Sequence, residues 1–126
     1  MSDDLKTKLA SKIVERDKVV GTAAAEGFPA IIIQGVADSD VLNLAKAHLN
    51  YGTSWKKRGG VGAFMMLARK WDRLEKAVEA AKYDIFSAID SDKRAEGIMD
   101  DIRDLRRYLM LVEAEIGART PEVKKD

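Results

Sequence analysis

Apolar residues return at helical spacing in several stretches of this chain, most regularly in its C-terminal half. From Phe64 they step three and four residues at a time through Leu67, Trp71, Leu74, Val78, Ala81, Ile85 and Ala88. This is the mark of one apolar stripe on a helix. The rhythm resumes at Ile98 and runs through Ile102, Leu105, Leu109, Val112 and Ile116. The two seams predict a third helix over about 62–89 and a fourth over about 94–117. Asp90-Ser91-Asp92 between them is a tight connection, so the pair is expected to form a long antiparallel helical hairpin.

The N-terminal part is less regular. Leu5, Leu9, Ile13 and Val20 fall near one face of a first helix over 3–25, which Ser2 or the neighbouring aspartates can cap. Residues 26–37 break the rhythm. Gly27 and Pro29 interrupt it, and Ile31–Ile33 are β-branched, so an extended loop or a short strand is expected. A lone strand would have to pair with another chain. Asp38, Ser39 and Asp40 read as the start of a short second helix to about Asn50, with Val41, Leu44, Ala45 and Leu49 as its apolar members. Tyr51–Gly62 reads as a loop. Thr120-Pro121 ends the fold, and Glu122–Asp126 reads as a frayed tail.

The pattern therefore predicts an all-α, bundle-like protein with shorter N-terminal helices ahead of the hairpin. A single helical domain over 1–126 is expected: helix and irregular segment over 1–40, core helices over 41–117 and tail over 118–126. Long seams, the apolar surround of 63–68 and the Ile31–Ile33 run ask for cover by another copy, so a homo-oligomer is expected.

Composition narrows the picture. The chain has 126 residues, 46% apolar and 34% charged, as in a soluble helix-rich domain. Its formal net charge is only +1, so bulk attraction to nucleic acid or to an anionic membrane has no support. There is no cysteine, which excludes disulfides, thiolate metal sites and a thiol nucleophile. The N-terminus lacks an apolar signal core, and the longest unbroken apolar run, Ala63–Ala68, is far short of a membrane span. A cytoplasmic location is the default expectation.

The candidate chemistry centres on Trp55-Lys56-Lys57-Arg58-Gly59-Gly60-Val61-Gly62. Consecutive cations lead into glycines at the head of the third helix. A helix N-terminus offers unpaired N–H groups and the positive end of a dipole, and glycines allow close approach. Lys56, Lys57, Arg58 and the amides of Gly59, Gly60 and Gly62 are therefore candidates for binding phosphate; an exposed basic loop is the plain alternative. Tyr51 and Trp55 flank the cations and could stack on a base, or Trp55 could anchor the loop in the core. His48, the only histidine, has no nameable partner and reads as structural.

A second constellation is acidic. Asp72 and Glu75 lie three apart on the third helix, and Asp101 and Asp104 three apart on the fourth. The hairpin could bring the four carboxylates to one Mg²⁺, a cation that bridges carboxylates to substrate phosphates. The angles are uneven. Counted round the helix from Leu67, Glu75 lies roughly 80° and Asp72 roughly 140° away, while Asp101 and Asp104 lie roughly 60° and 120° from the centre of their own seam. A solvated, ion-paired face is the competing reading: Arg69 and Lys76 neighbour Asp72, and Arg107 neighbours Asp104.

Two families share these patterns. Asn50-Tyr51-Gly52-Thr53-Ser54-Trp55, then Arg69-Lys70-Trp71-Asp72-Arg73, then Asp101, Asp104 and Tyr108 resemble the nucleotide modification associated domain family, first type. Those are small helical proteins found largely in phages and bacteria. The match covers roughly 45–115 and implies a link to nucleotide metabolism. Asp72-x-x-Glu75 and Asp101-x-x-Asp104 are similar in layout to the paired acids of MazG-like all-α nucleotide pyrophosphohydrolases, with Asp for Glu at two positions. That likeness implies Mg²⁺ held by Asp72, Glu75, Asp101 and Asp104, with Glu75 and Asp101 serving catalysis.

The leading expectation is a binder of a nucleotide or related phosphate ligand, which a Mg²⁺-dependent activity could hydrolyse. The alternatives are a non-catalytic phage protein that sequesters a nucleotide signal, and a purely structural helical oligomer.

Overall fold

The computed structural model describes residues 2–119; the expected tail after Thr120 lies outside them. Every regular element among the described residues is helical. In chain order these are α1 (Asp3–Ala25), α2 (Ala30–Tyr51), a single 3₁₀ turn (Ser54–Lys56), α3 (Gly59–Glu79), α4 (Ile85–Ser91) and α5 (Ile98–Arg119). None of the described helices is long and apolar enough to cross a membrane. By its internal contacts the chain divides into two compact units, Met1–Leu42 and Asn43–Asp126.

In the first unit, α1 starts as its sequence indicates: the Ser2 side chain accepts a hydrogen bond from the Leu5 amide. The helix ends at a glycine turn. Gly27 has φ +100°, and the Gly27 and Phe28 amides donate back to the Ala24 and Ala23 carbonyls, a left-handed stop that glycine alone enters without strain. The extended segment expected over 26–37 is corrected: from Ala30 onward the chain is helical. Pro29 stands just before the first helical residue, where a missing N–H costs nothing. Its carbonyl accepts from the Ile33 amide, so the supposed breaker is an initiator. Asp38–Asp40, expected to begin a helix, lie in the middle of α2, and Asp40 is buried. No residue of α1 is buried, and Ile31 remains 89% exposed.

The second unit contains the hairpin. Lys56 pairs with Glu115, Lys70 with Asp104 and Arg73 with Asp101. One partner's number rises as the other's falls, so α3 and α5 run antiparallel, as the seams predict. The core sits at the closed end. Leu74, Ala88 and Ile98 are buried there, flanked by Val78, Ala81, Ile85, Ile102 and Leu105.

The expected continuous third helix is interrupted. Lys82 and Tyr83 both take left-handed φ (56° and 65°), and the Tyr83 amide donates to the Val78 carbonyl. Such residues store about 1–2 kcal/mol each. Asp84 then caps α4 by accepting from the Ser87 amide and hydroxyl and from the Phe86 amide, which together hold its carboxyl below the usual range. The corner folds α4 back over the start of α5.

The buried face of α3 is also turned from the one its apolar stripe implies. Lys70 and Arg73 are partly buried beside Leu74, whereas Trp71 and Phe64 are 51% and 65% exposed. The contact face is centred between Lys70 and Leu74, roughly 60° from the Leu67–Trp71 centre. Carboxylates on α5 make this possible, because each cation brought into the interface meets an opposite charge there.

Candidate functional site

A cavity of about 620 Å³ opens at the end of the second unit away from its core, within the size range of small-molecule sites. Three separate segments build it. The last turns of α2 supply Leu44, His48 and Tyr51; the 3₁₀ turn and the head of α3 supply Trp55, Arg58, Gly62 and Met66; the middle of α5 supplies Asp104, Arg107, Tyr108 and Leu111. Tyr51, Trp55 and Tyr108 make its wall aromatic, and Arg58, Arg107 and His48 bring nitrogen donors to it. Its one acid, Asp104, is bound by Lys70 Nζ at 2.8 Å, and Arg58 brings a cation to the lining. This combination can stack a planar ring and neutralise an anion beside it.

The local backbone explains the shape. Gly52 takes φ +61° and its amide closes on the His48 carbonyl at 2.7 Å, ending α2 so that His48 and Tyr51 face the cavity. Gly59 takes φ +71°, which turns the chain from the 3₁₀ turn into α3. Gly62 has a different reason. A Cβ there would stand 2.7 Å from the Arg58 Cβ, so only glycine lets the Arg58 stem lie against the helix.

The cations expected to share one anion pocket diverge. Arg58 lines the cavity. Lys56 turns the other way, and its Nζ donates to Glu115 Oε1 at 2.7 Å. Lys57 is exposed and lines neither this cavity nor the smaller one beside it. The glycines divide as well: Gly62 reaches the first cavity, whereas Gly59 and Gly60 line a second one of about 340 Å³ with Trp55 and Lys56. The head of α3 has no side-chain cap.

The four acids are not gathered. Asp72 and Glu75 are exposed, on the side of α3 that their large angles from the seam indicate. Asp101 is 1% exposed and belongs to a clasp at the closed end. Arg73 Nε donates to its Oδ1 at 3.0 Å, and Arg94 Nη2 stands 3.5 Å from Oδ2, an ion pair rather than a hydrogen bond. Among the described residues, no three or more His, Cys, Asp or Glu side chains are placed to hold a metal ion.

Asp92 completes the clasp. It accepts from Arg94 Nε at 3.1 Å and caps α5 by accepting from the Ile98 amide. Gly97 passes so close that any Cβ would collide with the Asp92 carboxylate. The Arg94 guanidinium, then the Ile98 amide, lower the Asp92 pKa from 3.8 to about 2. Because the folded value lies below the unfolded one, this contribution to stability is complete above about pH 4 and fades as pH falls toward 2. Urea midpoints measured across that range should drop less steeply in Asp92→Asn than in the parent chain. Parallel curves would remove Asp92 from the account.

Of the residues that line the larger cavity, Tyr51, Trp55, Arg58, Gly62 and Asp104 are sequence candidates, and Tyr108 enters through the family resemblance. Arg107 and His48 were not. The signal for them is spacing: Leu44, Ala47, His48 and Tyr51 share one face of α2, and Asp104, Arg107, Tyr108 and Leu111 share one face of α5. Comparison of this chain with known protein families, characterised proteins and solved structures gives no match.

Proposed function

We propose that the chain binds a nucleotide, or a closely similar phosphate carrying a planar ring, in the larger cavity and holds it without cleaving it. One observation carries this reading: aromatic walls (Tyr51, Trp55, Tyr108) and guanidinium groups (Arg58, Arg107) line the same 620 Å³ space. A base stacks on the first and a phosphate binds to the second. The reading keeps the link to nucleotide metabolism in phages and bacteria that the family resemblance implies, together with the default expectation of a bacterial cytoplasmic location. Hydrolysis gains no support from the acids. Asp101 and Asp104 already meet Arg73, Arg94 and Lys70, and Asp72 and Glu75 lie off the cavity. The exposed Leu5, Leu9 and Ile13 of α1 favour association with further copies, and sedimentation equilibrium on the same samples reads the stoichiometry.

Calorimetric titration with adenosine and guanosine mono- and triphosphates, and with inorganic pyrophosphate, tests the site. Nucleotides should bind more tightly than pyrophosphate, because only they engage the aromatic wall. Arg58→Ala should weaken them about tenfold or more, the worth of one charge-assisted contact. Silence from every nucleotide, or affinities indifferent to both Arg58→Ala and Tyr108→Ala, would overturn the reading.

A further inference from the structure

The second cavity adjoins the first, and Trp55 lines both. Its character differs. Ala63, Phe64 and Leu67 of α3 face Val112 and Ile116 of α5 across it, and at its edge Glu115 accepts from Lys56 and from Arg119, each at 2.7 Å. That carboxylate already occupies both cations, so the edge offers an incoming phosphate much less than Arg58 does next door. What the space does offer is apolar wall and two aromatic side chains, Trp55 and Phe64, in a volume of about 340 Å³. Gly59 and Gly60 bound it too, and a Cβ added to either would meet nothing within 4 Å, so the backbone there is open to approach.

We infer that this cavity is a second subsite, built for a second planar ring of the same ligand. The chain then recognises a dinucleotide, with its phosphate on the Arg58 side and its two bases on either side of Trp55. The inference rests on the nucleotide reading of the first cavity and adds to it the class of nucleotide. Continuity through one shared side chain selects this occupant: a ring in the second cavity lies a single indole away from a ring in the first.

The full chain is titrated by calorimetry with adenosine 5′-monophosphate, with the linear 5′-phosphorylated diadenylate and with cyclic diadenylate. At least one dinucleotide should bind about tenfold or more tightly than the mononucleotide, since each stacked base contributes on that scale. Phe64→Ala should bring the ratio of the two affinities toward one. Phe64 is 65% exposed, so this variant should fold, and a circular-dichroism melt verifies it. Ala63→Leu, which fills the cavity instead of emptying it, should lower the ratio in the same way. Mononucleotide binding with no gain for either dinucleotide would overturn the second subsite and leave the first standing. A gain that persists in both variants would also overturn it. If nothing binds, both readings fall together.

Discussion

Arg73→Ala should destabilise the second unit by about 3 kcal/mol, the scale on which a buried charge loses its main partner. Asp101 is fully enclosed, and Arg73 makes its one close charge-assisted bond; Arg94 stands further off at 3.5 Å. Removing Arg73 leaves a carboxylate that water cannot reach. The reverse change is milder. Asp101→Ala leaves Arg73 and Arg94, whose side chains are 37% and 42% exposed, to be rehydrated, and about 1–2 kcal/mol should be lost. Urea unfolding of the two variants measures this asymmetry. A larger loss for Asp101→Ala would contradict the clasp. So would a Mg²⁺-dependent rise in the parent's melting temperature that vanishes in Asp101→Ala, because that result would make Asp101 a metal ligand.

Ile98→Ala should remove about 2–5 kcal/mol, the usual range for emptying a large aliphatic site. Ile98 is 2% exposed and packs with Leu74 and Ala88 in a core of few fully buried residues. Little else is available to collapse into the space. Leu109→Ala on the same helix should cost well under half as much, since half of that side chain already faces solvent. Denaturant midpoints at unchanged slope report both values. Equal losses would mean that the core extends along the whole hairpin instead of concentrating at one end.

The sequence shows the helical class and the antiparallel pairing because these follow from local periodicity. It also shows the start of α1, because Ser2 and the stripe behind it are a local signal. It misleads where a residue's usual tendency yields to its position. Pro29 and the β-branched Ile31–Ile33 look like a break, yet proline at a helix start loses nothing. Lys82 and Tyr83 carry no glycine or proline to announce a corner, and the apolar rhythm simply passes through it.

The candidate site was legible in pieces. Tyr51, Trp55 and Arg58 could be named from neighbouring aromatic and basic residues. His48 and Arg107 could not, because the cavity joins three segments whose meeting depends on tertiary packing. The acidic quartet looked convergent by spacing alone. Its own angles already placed Asp72 and Glu75 away from the seam. What spacing could not reveal is that cations, more than aromatics, would occupy the face between α3 and α5.

The placement of the core at one end of the hairpin has a kinetic consequence. Leu74, Ala88 and Ile98 are close in sequence, so their contacts close short loops, and short loops form fast. The nucleus should assemble around the corner and clasp, and the end that carries the larger cavity should zip up after the transition state. A bound molecule would then slow unfolding while leaving the refolding rate nearly as it was.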